Sequence, residues 1–334
     1  MKALQISGPH EVRIIDLPAP GAGPGEILLR LHYVGFCGSD LNTFRGRNAM
    51  AKADVVPGHE IGAVIAAVGP GVPAHFRPGQ VVTANPYTHC GRCASCRAGR
   101  YNACENNATL GVQRDGAMQE LIALPWQKVI PATGISARDA ALIEPMSVGF
   151  HAVERGGVGD NDTVLVIGCG MVGLGAVIRS LRRGATVIAA DLDEEKLALA
   201  RELGAAHTYH TASAWQDLPA PSVVIEAVGS PATYRLAVER ADYCGRVVCI
   251  GYPKSEVELP AGLIVKKELA LYGSRNAAPS DFEAVIRAVR RGGLPLDRFI
   301  SGIVRPEEAQ AALERWDAEP GKVFRILTQW NTEN

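Results

Sequence analysis

The spacing of apolar and polar residues changes character part-way along the chain. Over residues 1–130 the apolar positions come in short β-like runs, at 27–34, 61–68 and 80–83. Turn pairs such as Pro24-Gly25, Pro57-Gly58 and Pro78-Gly79 separate them. Short strands with frequent turns predict an irregular, β-barrel-like domain. From Pro145 onward, apolar β-branched runs alternate with helical periodicity. The pattern predicts helices over 147–154, 172–183, 194–203 and 231–241, and strands over 163–167, 186–190, 222–227 and 246–250. Near-continuous apolar strands between helices indicate a parallel, doubly wound sheet covered on both faces. A strand at 269–272 and a helix at 280–291 follow. Periodicity leaves the tail free to form its own lobe or to rejoin the first domain.

Length and charge narrow the function classes. At roughly 100–200 residues per domain, 334 residues suggest two domains. Hydrophobic residues at 47% and charged residues at 21% fit a globular chain. A net charge of −1 gives no basic field to attract nucleic acid or an anionic membrane. No apolar run reaches the roughly 20 residues that span a bilayer. The opening residues lack the apolar stretch of a signal peptide, so the expected compartment is the reducing cytoplasm, where structural disulfides are not expected.

That expectation changes the meaning of the eight cysteines. Cys90, Cys93, Cys96 and Cys104 crowd into one short stretch with C-x2-C-x2-C-x7-C spacing. Four thiolates can close a tetrahedral zinc site with no position left for substrate, so such a site is structural. Spacing alone does not separate zinc from an iron–sulfur cluster. Cys244 and Cys249 flank an apolar strand and read as small core residues, and Cys169 falls inside a glycine turn.

That turn is the second motif. Gly168-Cys-Gly170-Met171-Val172-Gly173 follows an apolar strand and opens a helix. The first glycine permits the tight turn, the second lets backbone approach a pyrophosphate, and the third lets helix and strand pack closely. The helix N-terminus then faces the phosphates. Asp191 closes the next strand, placed to accept hydrogen bonds from the adenosine ribose. Its charge would oppose a 2′-phosphate, which favours NAD over NADP.

A third constellation is weaker on spacing alone. Cys37 lies in Gly-Phe-Cys-Gly-Ser-Asp, His59 and Glu60 in Pro-Gly-His-Glu, and Glu144 before Pro145. Thiolate, imidazole and carboxylate can hold zinc and leave one position open. Singly, each could instead be core packing, a hydrogen-bonded histidine or a surface carboxylate.

Together these stretches resemble the zinc-containing medium-chain dehydrogenases, in the branch of sorbitol, L-idonate, threonine and sugar-acid dehydrogenases. Cys37-Gly-Ser39-Asp40, Gly58-His-Glu60, the four-cysteine lobe, Glu144-Pro-Met-Ser-Val-Gly-Phe-His151 and the glycine turn with Asp191 occur in the family's order. The resemblance implies a GroES-like catalytic domain over 1–146 and a Rossmann NAD domain over 147–277. Residues 278–334 would return to the catalytic domain, with the active site in the cleft. It implies about two zinc ions per chain, one catalytic and one structural, and a homodimer or homotetramer. Cys37 and His59 would ligate the catalytic zinc, and Glu144 would ligate it or act through its water. Glu60 should point away from His59, because side chains alternate in an extended segment, and so stand behind the ligands or exchange with water. Ser39 would pass the substrate proton outward. Many relatives complete that relay with a histidine three residues further on, where this chain has Asn42. Val228, Gly229, Ile250, Gly251, Gly273 and Ser274 would line the nicotinamide pocket.

The implied reaction is hydride transfer from a secondary alcohol to NAD. Arg275 and Asn276 match a substrate-contacting segment, and a guanidinium there could clamp a carboxylate bidentately. An aldonate of galactonate or idonate type is therefore the leading substrate, with a neutral polyol or a threonine-type amino alcohol as alternatives. Arg275 could instead form a surface ion pair or touch the cofactor. Two readings from other classes remain, a zinc-free double-bond reductase on the same fold and a non-catalytic NAD-binding protein.

Overall fold

The computed structural model describes residues 1–211 and 218–331. The chain divides into two compact units, one of Met1–Glu144 with Phe282–Asn334 and one of Pro145–Asp281. The first unit is β-rich. Its main sheet runs in the order Gly302–Val304, Ile326–Gln329, Glu26–Phe36, Glu60–Val68, Val81–Ala84, Val129–Pro131, and Leu121–Pro125 also pairs with Glu26–Phe36. Lys2–Gly8 and Glu11–Asp16 form an antiparallel hairpin.

Strand Glu26–Phe36 organises this unit. Ile27, Leu29 and Leu31 are fully buried while Arg30 is exposed, the period-two pattern of a half-covered sheet. From Leu31 to Phe36 both faces are buried, and there the strand hands over to Cys37. The C-terminal strand lies antiparallel to it, with Ile326 opposite Phe36. Leu313, Trp316 and Ile326 share one apolar core with Ile27, Leu29, Ile61 and Ile65.

The second unit is a parallel α/β sheet. Its strands stand in the order His207–His210, Thr186–Asp191, Thr163–Ile167, Val223–Glu226, Arg246–Cys249, Ala270–Gly273. Every pairing is parallel. The order reverses between Thr163–Ile167 and Val223–Glu226, the switch point at which open α/β sheets open a ligand crevice. Val164, Val166, Ile167, Val223, Val224 and Ile225 are fully buried, as their continuous apolar sequence requires.

Three details depart from the sequence pattern. His207–His210 is an edge strand that the apolar pattern misses, since His-Thr-Tyr-His is polar and only part-buried. The helix expected from 147 begins at Ile143, with Pro145 in its first turn, where a missing N–H costs nothing. Cys244 is exposed in a turn with φ of 56°, not packed in the core.

One polar network stitches the start of the second unit to its sheet. Asp162 accepts from Gly159 N at 2.8 Å, from Ser222 Oγ at 2.7 Å, and from the Arg246 guanidinium. Arg246 also donates to the Gly156 and Gly157 carbonyls at 2.7 and 2.9 Å. Burial opposes ionisation of Asp162, but these donors outweigh it and hold the carboxyl below its ordinary value. A depressed folded-state value means stabilisation that is complete above the unfolded value near 3.9. Asp162→Asn should therefore lower unfolding stability by about 1–3 kcal/mol at neutral pH. In thermal melts the gap to wild type should close as pH falls through about 4 and below.

Candidate active site

Cys37 directly follows strand Glu26–Phe36 and sits at the N-cap of helix Gly38–Phe44. Asp40, fully buried in the first turn of that helix, accepts the Cys37 N–H at 2.8 Å and fixes the turn. His59 immediately precedes the neighbouring strand Glu60–Val68, which Glu60 opens in register opposite Gly35. The donor atoms of Cys37, His59 and Glu60 lie within 4.8 Å of one another, with His59 and Glu60 buried. Although it adjoins His59 in sequence, Glu60 brings a carboxylate oxygen within reach of the same group. Gly58, at φ 97°, turns the chain just ahead of His59.

Gly35 is what makes room for the carboxylate. A Cβ there would stand 2.2 Å from Glu60 Oε2. Arg325, from the C-terminal segment, places Nε 3.1 Å from the same oxygen, close enough for an ion pair but not aligned as a hydrogen bond. Its Nη1 donates to the Phe36 carbonyl at 2.6 Å. Glu144 stands outside the three-atom group and accepts a hydrogen bond from the buried Tyr87 hydroxyl. The Ser39 hydroxyl is buried without a hydrogen-bond partner.

The electrostatics are those of a crowded anionic pocket. Burial pushes the Cys37 thiol up, but the hydrogen bond and charge of His59, with Arg325, leave it below its ordinary value. Burial alone would lower His59, and Cys37, Asp40 and Glu144 instead hold it well above its usual range. Glu60 is raised well above the carboxylate range, first by burial and then by Cys37 and Glu144, against the pull of Arg325. Burial, then Glu144, likewise lifts the Tyr87 hydroxyl. His59 Nδ1 and both Glu60 oxygens are buried with no hydrogen bond. Sulfur, nitrogen and oxygen donors gathered in this way fit a divalent zinc ion with an open position.

The cysteine lobe fits a closed site. The four donor atoms of Cys90, Cys93, Cys96 and Cys104 lie within 4.8 Å of one another, and no disulfide joins them. Cys93 Sγ and Cys104 Sγ are 3.8 Å apart. That matches the edge of a tetrahedron with zinc–sulfur bonds of about 2.3 Å. The Ser95 hydroxyl and the N–H groups of Cys96 and Glu105 hold the Cys93 thiol well below its ordinary value.

In the second unit the glycine turn has the shape its sequence demands. Gly168 adopts φ 93°, and a Cβ on Gly173 would strike the Gly168 carbonyl at 1.7 Å. Asp191 accepts Cys169 N through Oδ2 at 2.6 Å, and Leu192 N and Asp193 N through Oδ1 at 2.8 and 3.0 Å. It thereby braces the turn as well as ending its strand.

The chain matches the alcohol dehydrogenase GroES-like domain over residues 23–134 and the zinc-binding dehydrogenase domain over residues 172–291. The L-galactonate-5-dehydrogenase of Escherichia coli is 33% identical, covering 90% of this chain and 91% of that protein. The sorbitol dehydrogenase of Bacillus subtilis is 32% identical over 94% of this chain and 93% of its own. The crystal structure of RspB from Escherichia coli, complexed with NADH, aligns with a TM-score of 0.89 at 29% identity, covering 98% and 99% of the two chains. The chain belongs to the zinc-type medium-chain dehydrogenases, in their polyol branch.

Within this dehydrogenase the remaining expected positions are spread along the second unit. Val228 is half-exposed, Ile250 and Gly251 are part-buried, Gly273 is exposed and Ser274 is buried. Arg275 and Asn276 follow the last strand of the sheet, part-buried, with Asn276 at φ 56°. His151, the last residue of the stretch that starts at Glu144, is buried and stands 2.9 Å from Asp281 through Nδ1. Sequence reasoning missed Tyr87 and Arg325. Tyr87 had a faint signal in its place three residues before Cys90, whereas Arg325 had none.

Gly35→Ala gives a test of this packing. The added methyl should displace the Glu60 carboxylate and weaken metal binding at the Cys37 group by about tenfold or more. Metal bound at the four-cysteine lobe should be unchanged. Competition with a chelator, followed by metal analysis, measures both.

Proposed function

We propose that the chain is an NAD-linked, zinc-dependent dehydrogenase that oxidises a secondary alcohol of a sugar acid. The observation that carries this reading is the gathering of Cys37, His59 and Glu60 donor atoms within 4.8 Å. The braced glycine turn of the second unit supports it as a separate dinucleotide signature. Cys37, His59 and Glu60 would hold the catalytic zinc, with Glu144 beside them, and Cys90, Cys93, Cys96 and Cys104 the structural one. A zinc ion held there would supply the Lewis acidity that makes an alcohol easier to deprotonate, and a nicotinamide bound in the second unit would supply the hydride acceptor. The balance is alcohol and NAD⁺ to ketone, NADH and one proton.

The chain's own residues then have distinct tasks. Ser39, whose hydroxyl is buried without a partner, takes the substrate proton. Asn42 cannot titrate in a useful range, so the proton continues through water or another group. Arg325 offsets the Glu60 charge and keeps its carboxylate beside Cys37 and His59. Gly168, Gly170, Met171, Val172 and Gly173 accommodate the diphosphate at the helix N-terminus. Asp191 keeps lone pairs for the ribose hydroxyls, and its charge favours NAD over NADP. Val228, Ile250, Gly251, Gly273 and Ser274 serve the nicotinamide half. Arg275 and Asn276 are assigned to substrate on the resemblance of their segment, with a guanidinium suited to a carboxylate.

The likeness to a galactonate dehydrogenase favours the aldonate, and the likeness to a sorbitol dehydrogenase keeps a neutral polyol as the second reading. A homodimer or homotetramer acting on a small molecule in the cytoplasm belongs to the same proposal. Among the described residues no helix is long and apolar enough to cross a membrane.

The test is reduction of NAD by the purified, metal-analysed protein against a panel of aldonates, polyols and threonine. Turnover on one sugar acid is expected, and Arg275→Ala should raise its KM by about tenfold or more. Turnover confined to neutral polyols, or an unchanged KM in that variant, would remove the carboxylate clamp. No turnover on any alcohol would contradict the dehydrogenase reading.

A further inference from the structure

The strand Val223–Glu226 ends on a carboxylate that is fully buried. Glu226 Oε1 accepts the N–H of Val228 at 2.9 Å, the N–H of Gly229 at 2.8 Å and the Thr233 hydroxyl at 2.8 Å. Oε2 has no hydrogen-bond partner. Thr233 belongs to the capping box of helix Pro231–Arg240, where its amide donates to Ser230 Oγ. The next residue, Tyr234, donates its hydroxyl to the Gly251 carbonyl at 2.7 Å, in the loop that follows strand Arg246–Cys249.

These bonds lock two loops together at the carboxyl ends of adjacent strands. A Cβ on Gly251 would stand 2.1 Å from Gly229 N, and one on Gly229 would stand 2.8 Å from the Tyr252 carbonyl oxygen. The loops thus touch backbone to backbone, with no room for side chains. In a trans peptide the N–H points opposite to the carbonyl it follows. Drawing the Val228 and Gly229 amides inward to Glu226 therefore turns the Ala227 and Val228 carbonyls the other way. The Ala227 carbonyl packs beside the glycine turn, its carbon and oxygen each 3.3 Å from where a Gly168 Cβ would stand. Val228 Cγ2 lies 2.6 Å from the same point, while the residue as a whole is 52% exposed. An exposed valine at the switch point of the sheet, beside carbonyls turned away from Glu226, offers an apolar shelf and hydrogen-bond acceptors together.

We infer that Glu226, acting with Thr233 and Tyr234, is a positioning residue for the nicotinamide half of the dinucleotide. It touches neither cofactor nor substrate. It fixes the backbone that would meet the ring and its carboxamide, whereas the diphosphate and adenosine depend on the glycine turn and Asp191. The inference rests on the dinucleotide reading of the second unit, and it separates the two halves of that ligand.

The experiment compares binding of NADH and of ADP-ribose, which lacks only the nicotinamide, to the wild-type chain and to Glu226→Ala, Glu226→Gln and Thr233→Val. Calorimetry reports both ligands, and melting curves report folding. Glu226→Ala should weaken NADH by about tenfold while leaving ADP-ribose nearly unchanged. Glu226→Gln, which keeps an acceptor oxygen, should recover much of the loss. Thr233→Val is the milder variant should the alanine chain not fold, and it should show the same selective loss to a smaller degree. Equal losses for both ligands, or NADH binding that does not change, would overturn the positioning role. A wild-type chain that binds neither ligand would overturn the dinucleotide reading itself, and this inference with it.

Discussion

The β-rich unit turns on one buried carboxylate. Glu60 is wholly removed from solvent, between a thiol, an imidazole and the guanidinium of Arg325. An isolated charge in such a place costs several kcal/mol, and it persists only where opposite charge or hydrogen bonds answer it. Arg325 answers that charge only in part, from the far end of the chain, against burial and the neighbouring Cys37 and Glu144. The same guanidinium bonds the Phe36 carbonyl, and the strand next to it pairs with the strand that delivers Cys37. The C-terminal segment is therefore part of the site's electrostatics as well as of its core.

The same constraint explains why the donor set looks as it does. Cys37 and Glu144 bring negative charge, and beside them Glu60, which burial already disfavours as an anion, and His59 are both held toward their protonated forms. A divalent ion reverses that tendency, because the ligands bind it deprotonated. Gly35 and Gly58 provide the geometry, one leaving space for the carboxylate and the other turning the chain ahead of the imidazole. The four-cysteine lobe solves a different problem. It gathers four thiol donors, which would fill a tetrahedral zinc site and leave no position for a substrate.

How much was legible in the sequence follows from whether a feature is local. The glycine turn, Asp191 and the four cysteines each lie within a short stretch whose spacing carries the chemistry, and the structure gives them the expected shapes. The long apolar strands of the parallel sheet were legible for the same reason. The polar edge strand His207–His210 was not, because an edge needs no apolar face. The neighbourhood of Glu60 was only partly legible, since Arg325, its ion-pair partner, comes from a distant segment. Tyr87, Arg325 and the Glu226 lock depend on contacts between distant segments or on loop geometry, which periodicity does not encode. Cys244 failed as a core residue because it falls one turn outside its strand.

The central claim is that the chain carries two separate metal centres of different kinds. Metal content per chain, measured on the wild type, Cys37→Ser and Cys104→Ser, tests it most directly. About two zinc ions are expected in the wild type and about one in each variant. Cys37→Ser should abolish turnover while keeping the fold, and Cys104→Ser should loosen the cysteine lobe. A wild-type chain with a single metal that Cys37→Ser leaves in place would contradict the catalytic centre, and with it the proposed mechanism.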